Sequence, residues 1–271
     1  GSTPDQLERN VNGAGEKVKL RSRRGGADTV RGKVCAVTGG AQGFGKEIVL
    51  HLVEDGAFVF IADMNYNGAR ELADELNKKA GCTTAFPVEV NVTDESSVEK
   101  MVDQIVKTTG GIDLFVNNAG VLKAGSVKEF AFKDFSFVTN VNYFGYFLCV
   151  KHVSQVMALQ HEGDSTNSYF TDIIQINSKS GLVGSNKNGA YAGGKFGGIG
   201  LTQSFALELI EDRIKVNSIC PGNFFDGPLW SDPQNGLFVQ YLNTGKVPGA
   251  KSIDDVKHFY EAKVPMGRGC M

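Results

Sequence analysis

The sequence predicts an α/β protein built on a doubly wound parallel sheet with helices on both faces, and three observations carry that expectation. From Lys33 onward, short apolar runs alternate with amphipathic helical segments, a pattern that buries both faces of a parallel sheet. The first run opens into a glycine cluster, Gly39, Gly40, Gly43 and Gly45, at the start of the next helical segment. The second run ends on a carboxylate, Asp63, about 20 residues further on.

The elements follow in order. Residues 1–32 read as a basic N-terminal extension, with Lys17, Lys19, Arg21, Arg23, Arg24 and Arg31 relieved only by small residues; this is expected to be a solvated or subunit-clasping arm, not core. Residues 33–271 are expected to form one domain. Its strands are read from KVCAVTG, AFVFIAD, TTAFPVEV, IDLFVNNAG, DIIQINS and IKVNSICPG, each short, apolar and rich in β-branched or aromatic residues. Helices lie between them. Val98, Met101, Val102, Ile105 and Val106 recur at helical spacing after Asp94 and Glu95, acidic residues of the kind a helix N-terminus favours. AYAGGKFGGIGLTQSFALELI is read as another helix, and residues 224–266 as a lid over the substrate.

Composition narrows the function. With 271 residues, 41% hydrophobic content and a formal charge of −2, the chain can bury a sizeable core and lacks the basic balance of a nucleic-acid binder. Cys35, Cys82, Cys149, Cys220 and Cys270 are scattered without metal-ligand spacing, so they are expected to be reduced core thiols of a cytoplasmic protein that holds no metal. No apolar run reaches the roughly 18 residues of a membrane span, and no signal-like core opens the chain.

The glycine cluster has a chemical reading. A turn leaving a strand and entering a helix lets backbone N–H groups approach a pyrophosphate, with the helix dipole behind them. Gly39, Gly43 and Gly45 follow a G-x-x-x-G-x-G spacing, with Gln42 and Phe44 between them. Asp63 is placed to accept hydrogen bonds from an adenosine ribose and to repel a 2′-phosphate, which predicts NAD over NADP; Arg70 nearby is a counter-signal. Asn91, closing the third strand before Val92, is read either as a ligand of the adenine edge or as a turn former.

A second constellation carries chemistry. Tyr191 and Lys195 are four residues apart on one expected helix face, and an ammonium beside a phenol lowers its pKa from about 10, towards proton exchange near neutral pH. Ser178, thirteen residues earlier at a strand end, is placed to polarise a carbonyl beside that phenol.

TGGAQGFG, NNAG, NVNYFG, INSKSG, YAGGK and CPG occur in an order and spacing that resemble the short-chain dehydrogenase/reductases. The resemblance spans about Lys33 to Gly222 and implies a Rossmann-type fold, a dimer or tetramer of like chains, and a small-molecule substrate. It implies Tyr191 as general acid/base, Lys195 as its pKa-lowering partner and ribose ligand, Ser178 as carbonyl stabiliser, and Asn142 as holder of a proton-relay water. Asn118, Ala119, Gly120, Pro221 and Gly222 are implied beside the cofactor, with Asn223 towards the substrate. Asp226 stands near the position where many family members have a Thr that contacts the carboxamide. Asn91 replaces a usual Asp. The chain ends at PMGRGCM, where family members continue to another helix and strand, so the last strand is expected to be missing and its neighbour exposed.

Within the family, IIQINSKSGLVGSNKNGAYAGGKFGGIGLTQSFALEL, GNFFDGPL and FYEAKVPMGRGC resemble the sorbitol-6-phosphate 2-dehydrogenase branch. That implies hydride transfer between a nicotinamide cofactor and a polyol or sugar phosphate. The nearest cations along the chain, Lys179 and Lys187, are expected at the phosphate, with Lys246, Lys251 and His258 as further candidates. Trp230, Phe238, Tyr241 and Phe259 are read as a sugar wall or as helix packing. Two rivals are a reductase of an apolar ketone, such as a hydroxysteroid or 3-oxoacyl substrate, and an idle nucleotide-binding scaffold.

Overall fold

Six parallel strands form the sheet: β1 (Val34–Thr38), β2 (Phe58–Asp63), β3 (Ala85–Glu89), β4 (Leu114–Asn117), β5 (Thr171–Ile176) and β6 (Ile214–Ile219). Their order is β3-β2-β1-β4-β5-β6, so the winding reverses between β1 and β4 and opens a crevice at the carboxyl ends. The computed structural model describes residues 29–165 and 169–270. The basic run from Lys17 to Arg24 lies outside the described residues. Of the expected extension, Gly32 donates to the Gly56 carbonyl at 2.9 Å, which fastens the entry to β1.

Alternation along β1 sets the layers. Val34 and Ala36 join one core cluster, with Phe60, Phe115 and Tyr146, whereas Cys35 and Val37 join the other, with Ile61 and Leu72; successive strand side chains point to opposite faces. The first cluster packs under α3 (Glu95–Thr109), α5 (Gly145–Glu162) and α6 (Gly189–Leu209), and the second under α1 (Gly43–Glu54) and α2 (Tyr66–Ala80). Asp94 caps α3 by accepting from the Ser96 N–H at 3.0 Å, and Gly110 ends it in the left-handed region, the stop that glycine best tolerates. Between β4 and α5 lie α4 (Phe132–Thr139) and a π-helical turn, Asn140–Phe144.

At the edge, β6 alternates buried Ile214 and Val216 with exposed Lys215, Asn217 and Ile219. Of those three only Ile219 is apolar. The expected exposure of an apolar sheet face is therefore slight among the described residues, and Lys215 is held by Asp172 on β5 at 2.9 Å.

The expected lid is three short helices, α7 (Pro228–Ser231), α8 (Leu237–Asn243) and α9 (Ile253–Glu261). Their Trp230, Phe238, Tyr241 and Val256 form a third cluster with Leu122, Val138 and Tyr191. Burying each large side chain contributes about 1.5–3 kcal/mol, so aromatic packing rather than sheet pairing holds this layer.

None of the five cysteines is in a disulfide, but only Cys35 and Cys149 are buried. Cys82 and Cys220 follow the ends of α2 and β6, and with Cys270 they are half-buried, which corrects the expectation of core thiols. Among the described residues no helix is long and apolar enough to cross a membrane.

Candidate active site

A cavity of about 770 Å³ opens at the carboxyl ends of the strands, walled by the glycine turn on one side and by the lid on the other. Thr38, which sequence reasoning did not single out, organises its floor. Its hydroxyl accepts from the N–H groups of Asn118 and Ala119, both at 3.0 Å. The Asn118 amide in turn donates to the carbonyls of Thr38 and Gly39 at 3.0 and 3.1 Å. Asn118 thus clamps the turn while lining the cavity with Ala119 and Gly120.

The glycines are required by geometry. Gly39 and Gly43 have φ of 63° and 56°, where other residues are strained. At Gly45 a methyl group would lie 2.0 Å from the Gly39 carbonyl oxygen. The N-terminus of α1 has no side-chain cap and no acidic residue in its first turn, which leaves N–H groups for an anion. Gln42, Gly43 and Phe44 line the same wall, and Phe44 stacks on Phe224 at 4.8 Å.

Asp63 reaches this turn directly. One carboxylate oxygen accepts from the Ala41 N–H at 3.0 Å and the other from Asn65 at 2.9 Å, and the group borders the cavity. Asn91 and Val92 also border it, but the Asn91 side-chain oxygen accepts from both the N–H and hydroxyl of Thr93 at 3.1 and 2.8 Å, the turn-forming geometry.

The three central residues meet at the far wall. The Ser178 hydroxyl borders the same cavity as the Tyr191 phenol, which it favours as phenolate, and accepts from the Ser180 N–H at 3.1 Å. Lys195 donates to the Ile176 carbonyl at 2.9 Å, with its nitrogen 5.6 Å from the Tyr191 ring centre. Asn177, missed in the sequence, supports both: its amide oxygen accepts from the Ser178 N–H at 2.8 Å, and its nitrogen donates to the Lys195 carbonyl at 3.0 Å.

The charge pattern departs from expectation. Burial raises the Tyr191 phenol above its ordinary value, opposed only by Ser178, because removal from water disfavours phenolate. Lys195 contributes nothing to this shift, and burial lowers its own pKa to about 8. In the protein alone the lysine therefore does not bring the phenol down.

Asn142 is anchored by its side chain. Its side-chain oxygen accepts from the Val121 N–H and its nitrogen donates to the Val121 carbonyl, both at 2.8 Å, and the residue does not line the cavity. The amide fixes the loop after β4 and keeps a second lone pair and a second N–H beyond these two bonds.

Pro221, Gly222 and Asn223 line the cavity, whereas Asp226 is exposed and points elsewhere. Asn223 is buried and its amide nitrogen has no partner, an orphan donor beside the cavity. Together with the uncapped α1 terminus and the glycine cradle, it fits a nicotinamide dinucleotide.

Of the expected cations, Lys179 and Lys246 border the cavity and Lys187 does not. Lys187 occupies the left-handed region at φ 54°, which turns its ammonium to the Thr244 carbonyl beside a separate cavity; the phosphate expectation for it is corrected. Lys251 and His258 are also absent from the cavity wall, whereas Lys123 borders it and is neutralised by Asp134 at 2.6 Å. The aromatic residues divide: Trp230, Tyr241 and Tyr260 line the cavity, and Phe238 and Phe259 pack behind them.

Comparison with known proteins agrees with this arrangement. Residues 33–230 match the short chain dehydrogenase family. The chain is 37% identical to sorbitol-6-phosphate 2-dehydrogenase of Escherichia coli strain K12 over 88% of its own length and 86% of that protein. It matches the crystal structure of sorbitol-6-phosphate 2-dehydrogenase SrlD from Erwinia amylovora with 38% identity, 87% and 86% coverage and a TM-score of 0.78. An actinorhodin polyketide ketoreductase variant solved with NADPH gives 28% identity, 89% and 85% coverage and a TM-score of 0.76. The match over most of the chain, on a sheet with this strand order, makes the protein a member of the short-chain dehydrogenase family and hence an oxidoreductase.

Proposed function

We propose that the chain is an NAD-dependent dehydrogenase interconverting sorbitol 6-phosphate and fructose 6-phosphate. The observation that carries this reading is the meeting of Ser178 and Tyr191 in one cavity with Lys179 and Lys246, which pair with no carboxylate among the described residues. A nicotinamide dinucleotide supplies the hydride acceptor when oxidation is the direction. Asp63 accepts from the ribose hydroxyls, which favours NAD, and the α1 N-terminus receives the pyrophosphate. Asn118, Ala119, Gly120, Pro221 and Gly222 flank the cofactor; Asn223 donates its orphan N–H to cofactor or substrate.

At the reacting carbon, Ser178 donates to the carbonyl oxygen and Tyr191 gives or takes the hydroxyl proton as hydride moves on the other side. Because burial favours the neutral phenol, Tyr191 rests as an acid ready for ketone reduction. For oxidation it must release that proton, and the Lys195 ammonium is the neighbouring charge that stabilises phenolate. Asn142 acts as a positioning residue through Val121.

The reading includes a cytoplasmic setting, supported by five cysteines outside any disulfide, and a homo-oligomer. Phe135, Phe144, Phe147 and Phe196 are each about half exposed, an apolar surface that association of like chains would cover. Sedimentation equilibrium tests the oligomer, and a monomer at micromolar concentration would count against it.

The decisive experiment offers sorbitol 6-phosphate, sorbitol, a hydroxysteroid and a 3-hydroxyacyl thioester with NAD or NADP, read at the reduced-nicotinamide absorbance. Sorbitol 6-phosphate with NAD is expected to have at least tenfold the kcat/KM of sorbitol. Activity confined to the steroid or thioester would overturn the substrate assignment.

A further inference from the structure

We propose that Lys246, flanked by Lys179 and Lys263, is the seat of the substrate's phosphate group, with Lys246 the residue that decides between phosphorylated and free polyols. The inference rests on the dehydrogenase reading above and assigns a site within it.

Three features of the cluster point to an anion. First, its cations come from three separate segments: Lys179 follows β5, Lys246 follows α8 and Lys263 follows α9. They repel one another, since the charges of Lys179 and Lys263 each depress Lys246, and Lys263 depresses Lys179. Among the described residues no carboxylate pairs with any of the three, in contrast to Lys123 with Asp134 on the same wall. Converging like charges destabilise a fold unless a ligand of opposite sign answers them.

Second, the central cation is buried. Lys246 is only 9% exposed and borders the cavity. Its direct contacts are uncharged: the Ser185 hydroxyl at 3.2 Å and the Tyr241 ring, whose centre lies 3.9 Å from its nitrogen. With the Asn188 amide turned to the orientation that satisfies its surroundings, its side-chain oxygen accepts from Lys246 at 2.9 Å and from the Tyr241 hydroxyl at 2.8 Å, while its nitrogen donates to the Lys187 carbonyl at 3.2 Å. A lysine has only donors, so these contacts orient the ammonium without neutralising it. A buried charge without a counter-ion is costly, and an anion bound beside it removes that cost.

Third, the cluster has a fixed relation to the reacting atoms. Asn188 is the residue before α6, and Tyr191 lies one turn into the same helix. Asn188 makes no capping bond, so the positive end of this helix adds to the same field. The Lys263 ammonium sits 3.9 Å over the Phe259 ring and Lys179 sits 5.8 Å over Tyr260, so aromatic faces hold both flanking lysines in place. A polyol presenting its reacting carbon to Tyr191 would direct its phosphate towards Lys246.

The test compares the full chain with K246Q, K263Q and K246R. For each protein, kcat/KM is measured for sorbitol 6-phosphate and sorbitol with NAD, and fructose 6-phosphate binding is measured by calorimetry without turnover. The ester-over-polyol preference is expected to fall at least tenfold in K246Q and about threefold in K263Q, and K246R is expected to restore most of it. Fructose 6-phosphate binding should weaken in parallel. If polyols are oxidised and K246Q keeps the preference, the phosphate seat is wrong and the dehydrogenase reading stands. If no polyol is oxidised but fructose 6-phosphate binds and K246Q abolishes binding, the seat stands and the substrate reading fails. Binding that is absent from the unmodified protein overturns the seat.

Discussion

The cofactor wall and the substrate wall of the cavity are held together in different ways. On the cofactor side, backbone geometry dictates the residues: Gly45 admits no side chain against Gly39, and Thr38 and Asn118 tie β1 to β4. On the substrate side, α7 to α9 are held by interlocking aromatic rings, with Trp230 within 5.5 Å of Phe225, Phe238, Tyr241 and Tyr260. Backbone constraints allow few substitutions, whereas a cluster of rings can be rebuilt around another ligand. The cofactor half is thus the fixed part of the enzyme and the lid the adjustable one.

The sharpest way to break this division is at the point where both walls meet. Tyr191→Phe keeps the ring that packs in the lid cluster and removes only the hydroxyl, and with it the exchangeable proton. Turnover should fall by about 10²–10⁴-fold, the usual contribution of a general acid/base, with NAD affinity within about twofold by fluorescence titration. A variant retaining more than about a tenth of the activity would remove Tyr191 from the proton path.

On the rigid wall, Gly45→Ala is expected to be the next most damaging. Its methyl group must displace Gly39, so stability should drop by about 1–3 kcal/mol and NAD affinity by at least tenfold. An equal substitution at Gly184, where nothing lies within 4 Å of the added atom, should do neither. Thermal melts with and without NAD make the comparison.

Asp63→Ala sharpens the cofactor assignment. With the carboxylate gone from the turn at Ala41, the preference for NAD over NADP should narrow about tenfold through loss of like-charge repulsion in a partly desolvated site. Unmodified protein using both cofactors equally would contradict the role given to Asp63.

The same contrast explains what the sequence revealed. All six strands were legible because apolar runs alternate with amphipathic helices, and Gly39, Asp63, Ser178 and Tyr191 were legible because fixed spacings within a strand–turn–helix unit bring them together. Lys246 could be offered only as a minor candidate and Lys263 not at all. Each follows a separate short helix, and no period or motif encodes the packing of α8 and α9 on Tyr191. Lys187 misled for the opposite reason: nearness along the chain suggested nearness in space, but a left-handed backbone turned it away. The depressed phenol expected from Tyr191 and Lys195 is not found in the protein alone, because spacing says nothing of desolvation, which raises Tyr191.

The smallest effect expected is a pH dependence confined to the adjustable wall. Lys246 is lowered to about 7, first by burial and then by the charges of Lys179 and Lys263; Tyr241 and Tyr260, which also face it, remain neutral phenols because burial raises both. The sign follows directly. A lysine whose folded pKa lies below its unfolded value binds fewer protons in the fold, so stability rises with pH between about 7 and 10.5. Phosphate binding has the opposite demand, since it needs the ammonium. The ester is mostly dianionic above about pH 6, so Lys246 sets the upper limit. KM for sorbitol 6-phosphate should therefore rise several-fold from about pH 7 to pH 8.5, while KM for free sorbitol stays nearly flat. Lys246→Arg, charged throughout this range, should abolish the rise and keep the low KM, whereas Lys246→Gln should abolish it at a high KM. Parallel KM profiles for ester and free polyol in the unmodified protein would place the titrating group elsewhere, with Lys195, lowered to about 8, the group to examine next.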